Sequence, residues 1–180
     1  MASSTDSGVN QPRMDAGMPD YSDPNSDDFE ALSRDRVLVR SMREDDLNSV
    51  VRIDAKLTGH DRRDYFTAKL KEVMSESGVR VSLVAEVDNM AVGFIMARVD
   101  FGEFGQTEAA AVIDTLGVNP DHGKGGIASA LTSQLLINLE ALHVENVRTS
   151  VGWNNLDLIG FLSAKGFTPA QQLTLVKKID

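Results

Sequence analysis

The sequence predicts a one-domain α/β (α+β) fold, a mixed and mostly antiparallel sheet of six to seven strands flanked by about four helices. Three observations predict it. Residues 79–87 alternate in the period of a half-buried strand: Val79, Val81, Leu83, Ala85 and Val87 against Arg80, Ser82, Val84 and Glu86. Two turn signals, Asp88-Asn89 and Gly102-Glu103-Phe104-Gly105, divide residues 79–118 into three such runs, an antiparallel meander. On either side of it, apolar residues recur at helical spacing between capping residues.

The elements follow in order. Val37 to Arg40 reads as a short strand. Ser41 and Glu44 form a capping-box signature for a helix carrying Leu47, Val50, Val51 and Leu57, and Gly59 breaks it. A second helix is predicted from 61 to about 74, with Phe66, Leu70, Val73 and Met74 inward. The meander strands run over 79–87, 90–101 and 108–118. A turn, Asn119-Pro120-Asp121-His122, leads into Gly123-Lys124-Gly125-Gly126, which opens a helix with Ile127, Leu131, Leu135, Leu139 and Leu142 on its apolar face. A strand over 144–151 and a helix over 155–165 come next, the helix ended by Gly166 as a left-handed cap. Two short strands, near Phe167 and over 171–179, close the chain.

Composition bounds the rest. The chain has 180 residues, 42% of them hydrophobic, enough for one domain with a real core. Residues 1–35 are rich in Ser, Asp, Gly, Asn and Pro without an apolar period, and read as a disordered acidic leader. Residues 36–180 form the domain. There is no cysteine and there are only three scattered histidines, so no disulfide framework, thiolate site or histidine metal site is expected. The net charge of −9 argues against nucleic acid, whose binding rests on Lys and Arg neutralising phosphates. It suits a cationic substrate, though solubility is the simpler reading. No apolar run spans a bilayer and no secretory signal opens the chain, so no membrane partner is expected and cytoplasm is the expected location.

The chemistry sits in Leu116-Gly117-Val118 and the turn Gly123-Lys124-Gly125-Gly126-Ile127-Ala128-Ser129. A helix start exposes backbone N–H groups without internal partners, the macrodipole adds positive charge, and glycines let an anion approach. Phosphate or pyrophosphate fits, with Lys124 adding a full charge. A P-loop is rejected: Gly117 is one residue too far from Gly123-Lys124, and Gly125 stands where a hydroxyl is needed. A dinucleotide fingerprint matches Gly123 to Ala128 formally. However, Asn119 to His122 separate it from the strand, and Val151-Gly152-Trp153 offers no ribose-binding acid. A glycine-rich turn without a ligand is the plain alternative.

The same stretch resembles the coenzyme A motif of the GNAT superfamily of N-acetyltransferases: Gln or Arg, two residues, Gly, one residue, Gly or Ala. Gly126-Ile127-Ala128 matches its second half, and Val118-Asn119-Pro120-Asp121 precedes it as is usual there. A second marker, Asn155 followed by Phe161-Leu162-Ser163-Ala164-Lys165-Gly166-Phe167, resembles the family's closing Asn and Phe-Tyr-x-Lys-x-Gly-Phe. The resemblance spans nearly all of residues 37–180 and includes the element order.

The resemblance implies a GNAT-like sheet splayed after the fourth strand, with pantetheine in the gap. It implies acetyl-CoA as co-substrate and no metal. The backbone of Leu116 and Val118 would pair with pantetheine amides, the turn from Gly123 to Ser129 would hold the pyrophosphate, and Asn155 would steady the pantetheine. An N–H near Val118 would polarise the thioester carbonyl. The chain departs at two places. Gly123 replaces the usual Gln or Arg, and Leu162 replaces the frequent Tyr that protonates the departing thiolate. A thiol of pKa about 8.5 needs little help to leave near neutral pH, and Tyr65 is a substitute candidate.

For the base, Asp114 interrupts an apolar run and, by the two-residue period, shares a strand face with Leu116 and Val118. A satisfied structural carboxylate is the equal alternative. Glu103 and Glu108 flank the meander loop, where Glu103 is a second base candidate or a solvated residue. Trp153 and His60 are weaker candidates for the acceptor pocket.

The expected function is transfer of an acetyl group from acetyl-CoA to an amine by direct attack in a ternary complex. The alternative is a non-catalytic acyl-CoA-binding or sensing module. The sequence leaves open which amine is the acceptor, and whether the chain is a homodimer.

Overall fold

The computed structural model describes residues 37–75, 81–103, 106–123, 125–171 and 174–179, with the backbone course alone for 73–75, 101–103 and 106–108. The expected leader and Lys124 lie outside the described residues, as do the side chains of Glu103 and Glu108.

Five strands form one sheet in the order β1-β2-β3-β4-β5: β1 Leu38–Ser41, β2 Leu83–Val87, β3 Met90–Glu103, β4 Gln106–Val118 and β5 Asn146–Thr149. The first four pair antiparallel and β5 joins β4 in parallel. Four α-helices flank them: α1 Leu47–Thr58, α2 Arg63–Ser75, α3 Ile127–Ala141 and α4 Leu156–Ala164. Asp88 and Asn89 both take positive φ, the backbone a two-residue hairpin requires between β2 and β3. Gly166, at φ 84°, follows α4 as the expected left-handed residue.

Two cores lie on opposite faces of the sheet. On one, Ile127, Leu131, Leu135 and Leu139 of α3 pack on Leu83, Ala85, Ile95, Ala97, Ala111 and Ile113. On the other, Val50, Val51 and Ile53 of α1 and Phe66 and Leu70 of α2 pack on Val84, Phe94 and Met96. The rings of Phe66 and Phe94 meet edge to face at 5.8 Å.

The start of α1 differs from expectation. Ser41 does not cap it, because Ser41 is held in the ladder opposite Leu83. A 3-10 turn, Glu44–Asp46, intervenes, and the Asp46 carboxylate accepts the Arg43 N–H at 2.7 Å. Arg40 grips Asp46 with two nitrogens, at 2.8 and 2.7 Å, and also reaches Glu86 of β2. Burial pushes the Asp46 carboxyl up, but the bonds from Arg40 and Arg43 outweigh it and hold the group below the usual carboxylate range.

The mixed, mostly antiparallel sheet is the expected one, and five of its expected six to seven strands fall among the described residues. Among the described residues, neither 167–171 nor 174–179 pairs with another strand, and Leu175, Val176 and Ile179 stand about nine-tenths exposed. An apolar period marks a segment fit for a strand, whereas a ladder needs a partner that the period does not name. No helix among the described residues is long and apolar enough to cross a membrane.

Candidate functional site

The site grows from the last third of β4. Its pairing with β5 runs from Ala110↔Asn146 to Ile113↔Thr149 and stops there, while β4 continues to Val118. The sheet therefore forks after Ile113, as the expected splay requires. The Thr149 hydroxyl donates to the Ile113 carbonyl at 2.9 Å, closing the apex. Beyond it, the β5-facing edge of Asp114 to Val118 has no strand partner among the described residues. An extended ligand with amide groups can pair with such an edge.

A bulge sits at the same point. Met96 pairs with Thr115 and Ala97 with Ile113, so Asp114 is the extra residue of β4. The bulge breaks the alternation. Ile113, Leu116 and Val118 pack on the α3 side. Asp114 instead meets Lys69 of α2, on the opposite face, and Thr115 lies opposite Met96 of that second core. Asp114 thus does not share a face with Leu116 and Val118, because the extra residue resets the two-residue period. Its two oxygens face two cations: Arg98 bonds one, and the Lys69 ammonium lies 3.0 Å from the other. Burial pulls the Lys69 ammonium down, and the bonds from Asp114 and Glu72 more than reverse this, so Lys69 stays charged.

Glu103 pairs with Gln106 at the far end of the β3–β4 hairpin. Gln106 stands seven residues before Ile113, so Glu103 lies about 23 Å along the strands from the apex at ~3.3 Å per residue.

Two glycines let the elements close on the fork. A Cβ at Gly93 would stand 2.6 Å from Ile127 Cγ2 and 3.2 Å from Leu131 Cδ1, so α3 can begin directly over β3 only because Gly93 has none. A Cβ at Gly117 would meet the Phe94 ring at 2.6 Å, with Leu57 of α1 next to it at 3.4 Å. The sequence alone discloses neither role: Gly117 enters it only as part of the turn motif, and Gly93 does not stand out. The Gly93–Val118 and Phe94–Gly117 pairs belong to a register that alternation alone does not supply.

The turn after β4 is fastened from three sides. Asn119 donates its N–H to the Val92 carbonyl at 2.8 Å, and its side chain accepts from the Asp121 N–H. Lys56 of α1 reaches across to Asp121 at 2.5 Å and to Asn119 at 3.3 Å. A 3-10 turn, Pro120–His122, then brings the chain to α3. Gly123 and Gly125 spend their N–H groups on the carbonyls of Pro120 and His122. Gly126 takes φ 70° and starts α3 with no side-chain cap. The N–H groups of Gly126, Ile127, Ala128 and Ser129 have no acceptor among the described residues. The open donors are thus the first turn of α3, narrower than the stretch from Gly123 expected from sequence, and they suit a phosphate.

Other expected residues take these places. Asn155 caps α4, its side-chain oxygen accepting the Leu158 N–H at 3.3 Å, and the residue is exposed. Leu162 is buried hydrocarbon. Trp153 is 93% exposed. Tyr65 packs edge to face on Phe66, with Arg62 over both rings. His60 is exposed, and its N–H meets the Thr58 hydroxyl. No group of three or more metal-binding side chains gathers among the described residues.

Comparison with known proteins bears on this arrangement. No curated protein matches the chain in sequence. Among solved structures, it aligns with a transcriptional regulator from Bacillus halodurans C-125 at a TM-score of 0.67 and 18% identity, covering 79% of this chain and 99% of that one. It aligns with AAC(6')-Iy in complex with the bisubstrate analog CoA-S-monomethyl-acetylneamine at 0.67 and 16%, covering 80% and 99%. A ribosomal-protein-alanine N-acetyltransferase from Brucella melitensis biovar Abortus 2308 gives 0.61 and 20%, covering 79% and 99%. At such identities the likeness is one of fold. The sequence model of the acetyltransferase (GNAT) family, however, matches residues 47–167, a span that holds the forked strand, the glycine turn and α4, and the chain belongs to that family.

Proposed function

We propose that this chain transfers an acetyl group from acetyl-CoA to an amine by direct attack in a ternary complex, with residues 36–180 as the transferase domain. One observation carries the reading. The edge of β4 and the N–H groups of α3 that lack partners among the described residues lie beside each other, because Ile127 of α3 sits on Gly93, the cross-strand partner of Val118.

The residues present fit such a ligand. The N–H groups of Gly126 to Ser129 bind the pyrophosphate. The edge at Leu116 and Val118 pairs with the pantetheine amides, and the amide nitrogen of Asn155 contributes a donor. The bound thioester supplies an activated acyl group. A backbone N–H near Val118 orients and polarises its carbonyl. The attacking amine would displace CoA from the carbonyl as its thiolate, and the proton released by the amine would pass by way of water to that thiolate, since both Asp114 oxygens face cations. The acceptor classes named for AAC(6')-Iy, an aminoglycoside N-acetyltransferase, and for the ribosomal-protein-alanine N-acetyltransferase are both amines and set the first classes to screen.

A second reading, an acyl-CoA-binding module without turnover, draws on Leu162, where hydrocarbon stands at the family's acid position. Two measurements separate the readings. Titration calorimetry with acetyl-CoA, on the intact chain and on Gly125→Glu, tests the site. A Cβ at Gly125 meets nothing closer than 3.5 Å, so this variant adds no clash at Cβ and places an anion beside the phosphate donors. Micromolar binding lost in the variant supports the site, and no binding by the intact chain overturns it. Release of CoA that accelerates when an amine is added identifies the transferase. Release unaffected by every amine class identifies the module.

A further inference from the structure

We propose that Asp114 is a positioning residue: with Lys69 and Arg98 it fixes the bulge of β4, and so sets where the sheet opens for coenzyme A. This rests on the coenzyme A site proposed above.

The bulge and the fork coincide. Asp114 is the unpaired extra residue of β4, and the last rung to β5 is Ile113↔Thr149, one residue earlier. A chain of alternating charges crosses the sheet at this point. Glu72 of α2 contacts Lys69 at 3.0 Å, Lys69 contacts Asp114 at 3.0 Å, and Asp114 contacts Arg98 of β3. Arg98 contacts Asp100 at 3.0 Å, and Asp100 reaches Arg148 of β5 at 3.2 Å. Arg98 and Arg148 both pair with Val112, one on each side, so Asp100 links the two strands that flank β4, just behind the apex.

Three carboxylates and three cations alternate, and the Lys69 and Asp114 side chains are only 14% and 13% exposed. Pairs this sheltered hold geometry better than surface pairs do. An extra residue in a strand can migrate along it unless something pins it. The Asp114 carboxylate, gripped from β3 and from α2, is that pin. It ties the helix on one face to the strand position where pairing with β5 ends.

The test compares the intact chain with Asp114→Asn and Lys69→Met. Asn keeps the shape and still accepts from Arg98, but one of its two polar ends becomes a donor and cannot also serve Lys69. Met removes the ammonium and keeps an apolar stem. Two readouts are taken well below the melting temperature: hydrogen exchange at residues 114–118 and 149–152, and the Kd for CoA. Both variants should speed exchange at the fork and weaken CoA about tenfold, the size expected within one ionic network. Exchange in β1 and β2 should stay unchanged, and the double variant should be no worse than Asp114→Asn alone.

Unchanged fork exchange in both folded variants overturns the proposal, as does unchanged CoA affinity in variants of a chain that binds CoA. If the intact chain binds no CoA yet the fork still loosens in both variants, the pin stands and the coenzyme A reading falls. If Asp114→Asn abolishes turnover while fork exchange and CoA affinity hold, Asp114 is the base and the proposal is overturned.

Discussion

The ring of Phe94 lies across Gly117, its cross-strand partner, so closely that a Cβ there would stand 2.6 Å from Cε1 and 2.8 Å from Cζ. The ring cannot retreat freely, because its other neighbour is Phe66 of α2, itself fully buried. Gly117→Ala should therefore cost about 1–3 kcal/mol, the usual penalty for overpacking. Gly125→Ala, where the added Cβ has ordinary contacts at 3.5 Å and beyond, should stay within about 0.5 kcal/mol. Urea unfolding of the two variants beside the parent checks both values.

Gly93 makes the matching contact on the opposite face, and the prediction differs in kind. Its Cβ would strike Ile127, the first residue of α3, and Leu131 one turn on. Gly93→Ala should lift the N-terminal turn of α3 from β3, and with it the N–H groups of Gly126 to Ser129. CoA affinity should fall by more than the stability loss alone predicts, whereas Gly117→Ala leaves that turn in place. Calorimetric titration of both variants with CoA, at a temperature where both are folded, separates them. Equal affinities would show that the position of α3 over Gly93 does not matter for binding.

These contacts mark the limit of what the sequence discloses. Helical spacing placed Phe66 and Leu70 correctly in the core, and the glycine-rich turn correctly opens a helix whose first N–H groups are unpaired. Those features are local, written in residues close in the chain. The side of β4 on which Asp114 falls was not legible, because one bulged residue opposite Met96 inverts a period that sequence reading must take as unbroken. The cation partners of Asp114 lie 16 and 45 positions away, at Arg98 and Lys69, and nothing in its own strand points to them. Ser41 shows the same limit: its S-x-x-E spacing is a sound local signal, overruled by a rung to Leu83.

Asp54 and Arg62 give a test of the connection between α1 and α2. Asp54 is 3% exposed, and Arg62 bonds both of its oxygens while lying over the rings of Tyr65 and Phe66. Arg62→Met keeps the apolar stem but leaves the buried carboxylate without its cation. Because the Arg62 side chain is 43% exposed and water can reach the gap, the loss should be about 2 kcal/mol, below the ~3–5 of a fully buried pair. Adding Asp54→Leu should restore most of it, since the stranded charge is then gone. A double variant less stable than Arg62→Met would mean that packing, not charge, governs this site.

The Arg40–Asp46 pair sets an acid limit on stability. The folded-state value of Asp46 is depressed below that of the unfolded chain, so the unfolded state binds its proton first as pH falls. The stabilisation is present in full above the unfolded value, about 3.9, and is lost as pH drops through the folded value beneath it. Asp46→Asn removes the charge but not the shape, and it leaves Arg40 with Glu86. At pH 7 the variant should be less stable by about 1–3 kcal/mol, the range for a hydrogen bond to a charged group. The gap should narrow steadily below pH 4 and close once Asp46 is protonated in the folded parent as well. Urea midpoints of both proteins between pH 2.5 and 7 read this directly. A gap that stays constant across that range would mean Asp46 acts through its Arg43 cap and its shape, with no share from its charge.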